Sequence, residues 1–192
     1  MKTFKAITTT ILVLLGTLGA YAQFNMGIKG GGNFLKLTDD LSSDYRTGYH
    51  LGLFMDINAN KIGIQPEVLI VSGTAEPSGG IFAGDLKFRY IAVPVMVNFN
   101  LTKFLALQLG PQFLYNTLAD FTTTVAGVES TVSVRDQIEK QQWAATGGLM
   151  VRLPLGFHLS GRYVSGATNI IKSGAAESKN DFIMISIAKS FF

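Results

Sequence analysis

The chain has 192 residues, no cysteine, 21 glycines against 5 prolines, and a formal charge of +3. The lack of cysteine excludes a disulfide-stapled fold, and so small a charge, with no arginine–lysine stripe, leaves no footprint for nucleic acid. The length suits one domain, and much glycine with little proline suits a tightly curved sheet better than helices.

Lys2 and Lys5 precede a short apolar run at 11–18 and a small-x-small site, Ala20-Tyr21-Ala22. This is the pattern of a secretory signal peptide over 1–22, with the mature domain at 23–192. Removing the two lysines takes the formal charge to +1. No later apolar run has the length of a spanning helix. A membrane protein made from this chain therefore crosses as strands.

Residues 24–34 alternate, with Phe24, Met26 and Ile28 on one face and Asn25, Lys29 and Asn33 on the other. Gly30, Gly31 and Gly32 relieve crowding inside a small barrel. They are not a phosphate loop, since no lysine–serine pair or helical pattern follows. A polar loop at 35–46 leads to 47–58. There Tyr49, Leu51, Leu53, Met55 and Ile57 oppose Gly48, His50, Gly52 and Asp56. After a tight turn at 58–61, Ile62, Ile64, Val68 and Ile70 face outward, with Gln65 and Glu67 inward. Pro66 on that outer face marks an expected bulge.

A second loop at 72–85 precedes the longest hairpin, 86–116, joined at 98–103. Leu105, Leu107, Leu109 and Phe113 point outward, and Gln108 and Gln112 inward. On the first arm, Leu86, Phe88, Tyr90 and Ala92 are read outward, and Lys87 and Arg89 inward together with Ile91, Val93 and Val95. The connection 117–137 is rich in Thr and Val, which favour extended structure, so two readings stand: the hairpin strands continue there, or the loop offers Val125, Val128 and Val132 as a contact surface. Residues 142–153 and 157–164 form a hairpin about Pro154-Leu155-Gly156. Its inward set includes Thr146, Arg152, His158, Ser160 and Arg162. A polar loop at 165–180 leads to the closing strand, 180–192. There Ile183, Ile185 and Ile187 are read outward, and Lys189 snorkels near the rim.

Connection lengths alternate: long at 35–46, 72–85, 117–137 and 165–180, short at 58–61, 98–103 and 153–156. That alternation predicts an all-β, eight-stranded, antiparallel, up-and-down transmembrane β-barrel, with the short turns in the periplasm. Tyr49, Tyr90, Phe99, Phe104, Tyr115, Trp143 and Tyr163 are candidates for aromatic girdles.

Several segments, in order, resemble the PorT-like outer-membrane β-barrel family of Bacteroidetes. They are Gly27-Ile28-Lys29-Gly30-Gly31, the stretch 48–54, Leu86-Lys87-Phe88-Arg89-Tyr90-Ile91-Ala92-Val93-Pro94, Leu107-Gln108-Leu109-Gly110-Pro111-Gln112, and Arg162-Tyr163 with Thr168-Asn169-Ile170. The resemblance covers the whole mature chain. It implies a protein of the Gram-negative outer membrane, exported by a cleaved signal peptide, and carries over no catalytic motif. One member is implicated in protein secretion, so a component or biogenesis factor of a secretion system is an alternative to a structural or interaction role.

The interior reading places Lys29, Asp56, Glu67, Lys87, Arg89, Gln108, Arg152 and Arg162 in a structural polar network, in a lumen too narrow for a wide pore. Glu67 is expected to pair with Lys87 or Arg89, and Arg152 and Arg162 to flank a carboxylate such as Asp56. Charges left unpaired there would carry a large desolvation cost. An enzyme is not expected. Two histidines, His50 and His158, are available, and Ser160 lies along the strand from His158 rather than facing it. Neither a metal nor another cofactor is expected, and Asp39, Asp40 and Asp44 read as solvated loop acids rather than a calcium site. The partners expected are outer-membrane lipid around a monomeric barrel, and envelope or secretion proteins. A soluble, exported, lipocalin-like lipid-binding barrel is the competing architecture, and it requires an apolar interior under a polar exterior.

Overall fold

The computed structural model describes residues 23–38, 46–75, 84–125, 128–133, 139–168 and 179–191. The signal segment, the loop aspartates at 39–44 and the terminal Phe192 lie outside the described residues.

The strands are β1 (Gln23–Thr38), β2 (Arg46–Ala59), β3 (Ile62–Ala75), β4 (Gly84–Asn100), β5 (Leu105–Val125), β6 (Val128–Ser133), β7 (Gln141–Arg152), β8 (Phe157–Gly166) and β9 (Lys179–Ser190). All pair antiparallel. The order β4-β3-β2-β1-β9-β8-β7-β5 closes through β4–β5. Strand β6 pairs with Asp120–Val125 of β5, on the edge that β7 occupies lower down. It therefore extends the β7 track instead of adding a ninth stave, and the barrel is eight-stranded. Between the pairings Tyr115↔Gln141 and Asp120↔Ser133 the chain has four residues on β5 and seven between β6 and β7.

Alternation sets which face is which. Leu51, Leu53, Val68, Ile70, Leu109, Leu149 and Leu159 are exposed on the outside, Leu51 by 61 %. Inside stand Lys29, Asp56, Gln65, Glu67, Gln108 and Arg162. A continuous apolar exterior would make a water-soluble protein aggregate, whereas a bilayer solvates it. The lipocalin-like alternative requires the reverse.

Three expectations are corrected. The strands outrun their predicted ends at the long-loop side, and within 117–137 the extended reading holds over the loop reading, with β5 continuing to Val125 and pairing with β6. Pro66 makes no bulge, because the β2–β3 and β3–β4 registers are the same on either side of it. The irregularity falls instead between Arg89 and Tyr90, which oppose Leu118 and Asn116. Thr117 is the extra residue, and its hydroxyl donates to the Arg89 carbonyl (3.0 Å).

The third correction is the phase of β4. Phe88, Tyr90, Ala92 and Met96 are buried inside, and Ile91, Val93 and Val95 are exposed outside with Lys87 and Arg89. Lys87 stands opposite Asp120, and both cations lie at the loop end of the strand. There charged heads meet headgroups or water rather than hydrocarbon. Tyr90 accordingly leaves the girdle set. Tyr49, Trp143 and Tyr163 are exposed on the outer face, as are Phe99 and Phe104 near the turns. On β9, Ile183, Ile185 and Ile187 face outward. Lys189 lies 4.7 Å over the Phe157 ring and donates to the Leu155 carbonyl.

Candidate functional site

Among the described residues, the lumen gathers a buried cluster of ionisable groups. Glu67, on β3, is 2 % exposed and sits at its centre. Arg162 reaches it from β8, the stave diametrically opposite in the strand order. The contact is bidentate: Nη1 donates to Oε2 (2.9 Å) and Nη2 to Oε1 (2.7 Å). Lys29 Nζ donates to the same carboxylate at 3.1 and 3.3 Å, and Gln65 Nε2 at 2.7 Å. Arg162 Nε is held by Gln108 Oε1 (2.9 Å). One ion pair thus bridges the lumen wall to wall, with a second cation and two amides closing the gaps. Groups this buried need every hydrogen bond they can make.

From Glu67 a continuous hydrogen-bonded chain descends to the short-turn rim. Asn98 Nδ2 donates to Gln65 Oε1 (2.9 Å) and to Asp56 Oδ1 (3.3 Å), and Gln108 Nε2 to Asn98 Oδ1 (2.8 Å). Asn58 Nδ2 donates to Asp56 Oδ2 (2.7 Å). Asn100 Nδ2 donates to Asn58 Oδ1 (3.1 Å), while Arg152 Nη2 donates to Asn100 Oδ1 (2.8 Å).

Nearby, His50 Nε2 lies 2.8 Å from Ser186 Oγ, and His50 Nδ1 lies 3.4 Å from Asn33 Oδ1. The two side chains meet across β1 because Gly31 intervenes. A Cβ there would lie 2.9 Å from His50 Cε1 and 2.0 Å from the Ile185 carbonyl oxygen. The order Asn–His–Ser is that of a hydrolase triad, but all three residues are sealed among packed neighbours, where no acyl group can reach the hydroxyl. It acts here as a satisfied polar contact. Among the described residues, no group of three or more His, Cys, Asp or Glu is placed to hold a metal.

Towards the loop end, six of the staves turn apolar inside. Leu69, Val71, Phe88, Tyr90, Ala92, Leu114, Ala119, Ala144, Val164 and Met184 form one buried cluster. Within it, the Asn116 amide has neither donor nor acceptor satisfied.

Of the eight residues expected in the network, the structure brings Lys29, Asp56, Glu67, Gln108, Arg152 and Arg162 into one connected lumen system. Lys87 and Arg89 are outside it. The partners also differ: Glu67 takes Lys29 and Arg162, while Arg152 binds Asn100 and Asp56 binds Asn58 and Asn98. Asn98 and Asn100 also belong to that lumen system, while Asn33 and Ser186 meet His50 beside it. Asn33 shares the phase of Lys29, a usable signal, whereas Asn98 and Asn100 read as turn residues. Val125 and Val128 pair with each other at the end of the β5–β6 hairpin, and Val132 is exposed on it.

The family described as "Outer membrane protein beta-barrel domain" matches residues 20–172. Among solved structures, the attachment invasion locus protein Ail of Yersinia pestis is similar at 16 % identity and TM-score 0.56, over 88 % of this chain and 99 % of that one. Neisserial surface protein A is similar at 9 % identity and TM-score 0.54, over 86 % of this chain and 97 % of that one. No curated protein matches the sequence.

Proposed function

Since this chain belongs to the outer membrane protein β-barrel domain family, we propose that it is a non-enzymatic, monomeric envelope barrel with a structural or interaction role rather than a solute channel. The lumen-spanning Arg162–Glu67 pair carries this reading, because it closes the bore between opposite staves. Lys29, Asp56, Gln108 and Arg152 serve the same structural core. With the bore filled, contacts fall to whatever stands above the bilayer. The β5–β6 hairpin, with Val125, Val128 and Val132, is the described segment built to project there. Ail and neisserial surface protein A carry names that point to attachment and to the cell surface, which accords with such a role. Residues 1–22 act as the cleaved export signal, leaving Gln23 as the first mature residue.

The PorT-like resemblance supports a second, finer reading, in which the hairpin contacts a secretion or biogenesis partner. Its best segment, 86–94, places Phe88, Tyr90 and Ala92 in the buried cluster directly beneath that hairpin.

The refolded barrel in a planar bilayer is expected to give no sustained wide-pore current. A steady porin-like conductance would overturn the closed-bore reading. Deletion of the hairpin is expected to abolish partner recovery from native envelopes while the barrel remains heat-modifiable.

A further inference from the structure

At the short-turn rim the lumen widens into a cavity of about 530 Å³. Three corners of the fold line it: Asn58, Asn60 and Lys61 at the β2–β3 turn, Asn100, Thr102 and Lys103 at the β4–β5 turn, and Arg152 at the end of β7. The lining holds three cations and no carboxylate. Asp56 lies deeper, buried, its two oxygens taken by Asn58 and Asn98.

The mouth is built rather than incidental. Asn100 accepts from Arg152 and donates to Asn58 Oδ1 and to the Asn60 carbonyl (2.6 Å). These bonds tie β4, the β2–β3 turn and β7 together and hold the guanidinium at the opening. Asn60 takes a positive φ of 56°, which lets that turn close tightly beneath Asn100. Lys61 and Lys103 are exposed beside it.

The ligand follows from size and charge. The cavity has the volume of a small-molecule site, far more than one inorganic ion fills. Its cations come from three separate segments, so a ligand that meets them all carries more than one anionic group. All seven lining residues are polar or charged, which favours a water-borne ligand over the acyl part of a lipid. A planar guanidinium fork suits a carboxylate, and the two lysines adapt to the spacing of others. Short turns of such barrels face the periplasm. We propose that this mouth binds an acidic periplasmic peptide through two or more of its carboxylates.

The test is calorimetric titration of the refolded, full-length mature barrel in detergent with triglutamate. Saturable binding is expected, with triglutamine silent and inorganic phosphate at least about tenfold weaker. The double variant K61Q/K103Q changes only exposed turn residues, and its folding is checked by heat-modifiability. It is expected to weaken triglutamate binding by about tenfold or more. Absence of binding, equal binding of triglutamine, phosphate as tight as the peptide, or unchanged affinity in the folded double variant would each overturn the assignment. Titration in detergent reads the mouth whatever the sidedness of the barrel, so it fails independently of the envelope reading.

Discussion

Towards the short turns, the lumen is filled by Asp56, Gln65, Glu67, Asn98, Gln108 and Arg162; towards the long loops it is filled by Leu69, Val71, Phe88, Tyr90, Leu114 and Val164. Both halves are filled by buried side chains, but by different means. In the lower half, each side chain depends on a particular partner at a particular angle, and the penalty for losing one is electrostatic. In the upper half, contacts are interchangeable, and the penalty for losing one is a cavity. The lower half therefore fixes which staves face each other across the bore. The upper half adds burial without such selectivity.

The sharpest way to break this contrast is Glu67→Gln. It leaves Lys29 and Arg162 buried without their counter-charge, for a loss of about 4 kcal/mol in urea unfolding of the refolded barrel. Replacing Lys29, Glu67 and Arg162 together by apolar residues of similar size is expected to recover most of that loss. If the single and triple variants unfold alike, the ion pairs are not what the lower half depends on. Leu69→Ala, one inward position along the same strand, is expected to lose about 3 kcal/mol with no such rescue by a charged neighbour.

The same contrast explains what the sequence made legible. Eight staves, the short-turn end and the outward isoleucines of β9 followed from alternation and loop length, because both survive in a single sequence. Glu67 and Arg162 were readable as inward for the same reason. Their pairing was not, since it depends on which staves stand opposite, a property of closure rather than of any strand. On β4 the alternation itself misled. Inside the upper half Phe88, Tyr90 and Ala92 are as apolar as the lipid face, so hydrophobicity carries no phase there. Lys87 and Arg89 then suggested an interior by charge alone, although above the hydrocarbon a charged residue is free to face outward. The contact of His50 with Asn33 and Ser186 was similarly hidden, since it exists only because Gly31 leaves room for it.

A smaller effect of opposite sign comes from Asn116. It is a polar group of the lower-half kind stranded in the upper half, with both amide atoms unsatisfied. Asn116→Leu keeps the branched side-chain outline, though with bulkier methyl groups, and removes that desolvation penalty. It is expected to raise stability by about 1–2 kcal/mol, read as a higher urea midpoint at unchanged slope. A loss of stability instead would show that the amide is hydrogen-bonded within the barrel.

The smallest energetic effect belongs to Lys87 and Arg89, and it decides the phase of β4. An outward cation near the rim contributes at most a few tenths of a kcal/mol, so Lys87→Gln and Arg89→Gln are each expected to change the unfolding free energy in urea by less than about 0.5 kcal/mol. The inward alternative would strand a carboxylate partner and cost several kcal/mol. Topology adds a readout independent of stability. Cysteines placed singly at 87, 88 and 89 on the cysteine-free chain test adjacent positions under the same folding conditions. With Lys87 and Arg89 exposed and Phe88 only 2 % exposed, a water-soluble maleimide added to intact cells is expected to label K87C and R89C and to spare F88C. Labelling of F88C alone would reverse the strand, move Ile91, Val93 and Val95 into the bore, and dissolve the apolar upper half on which the contrast rests.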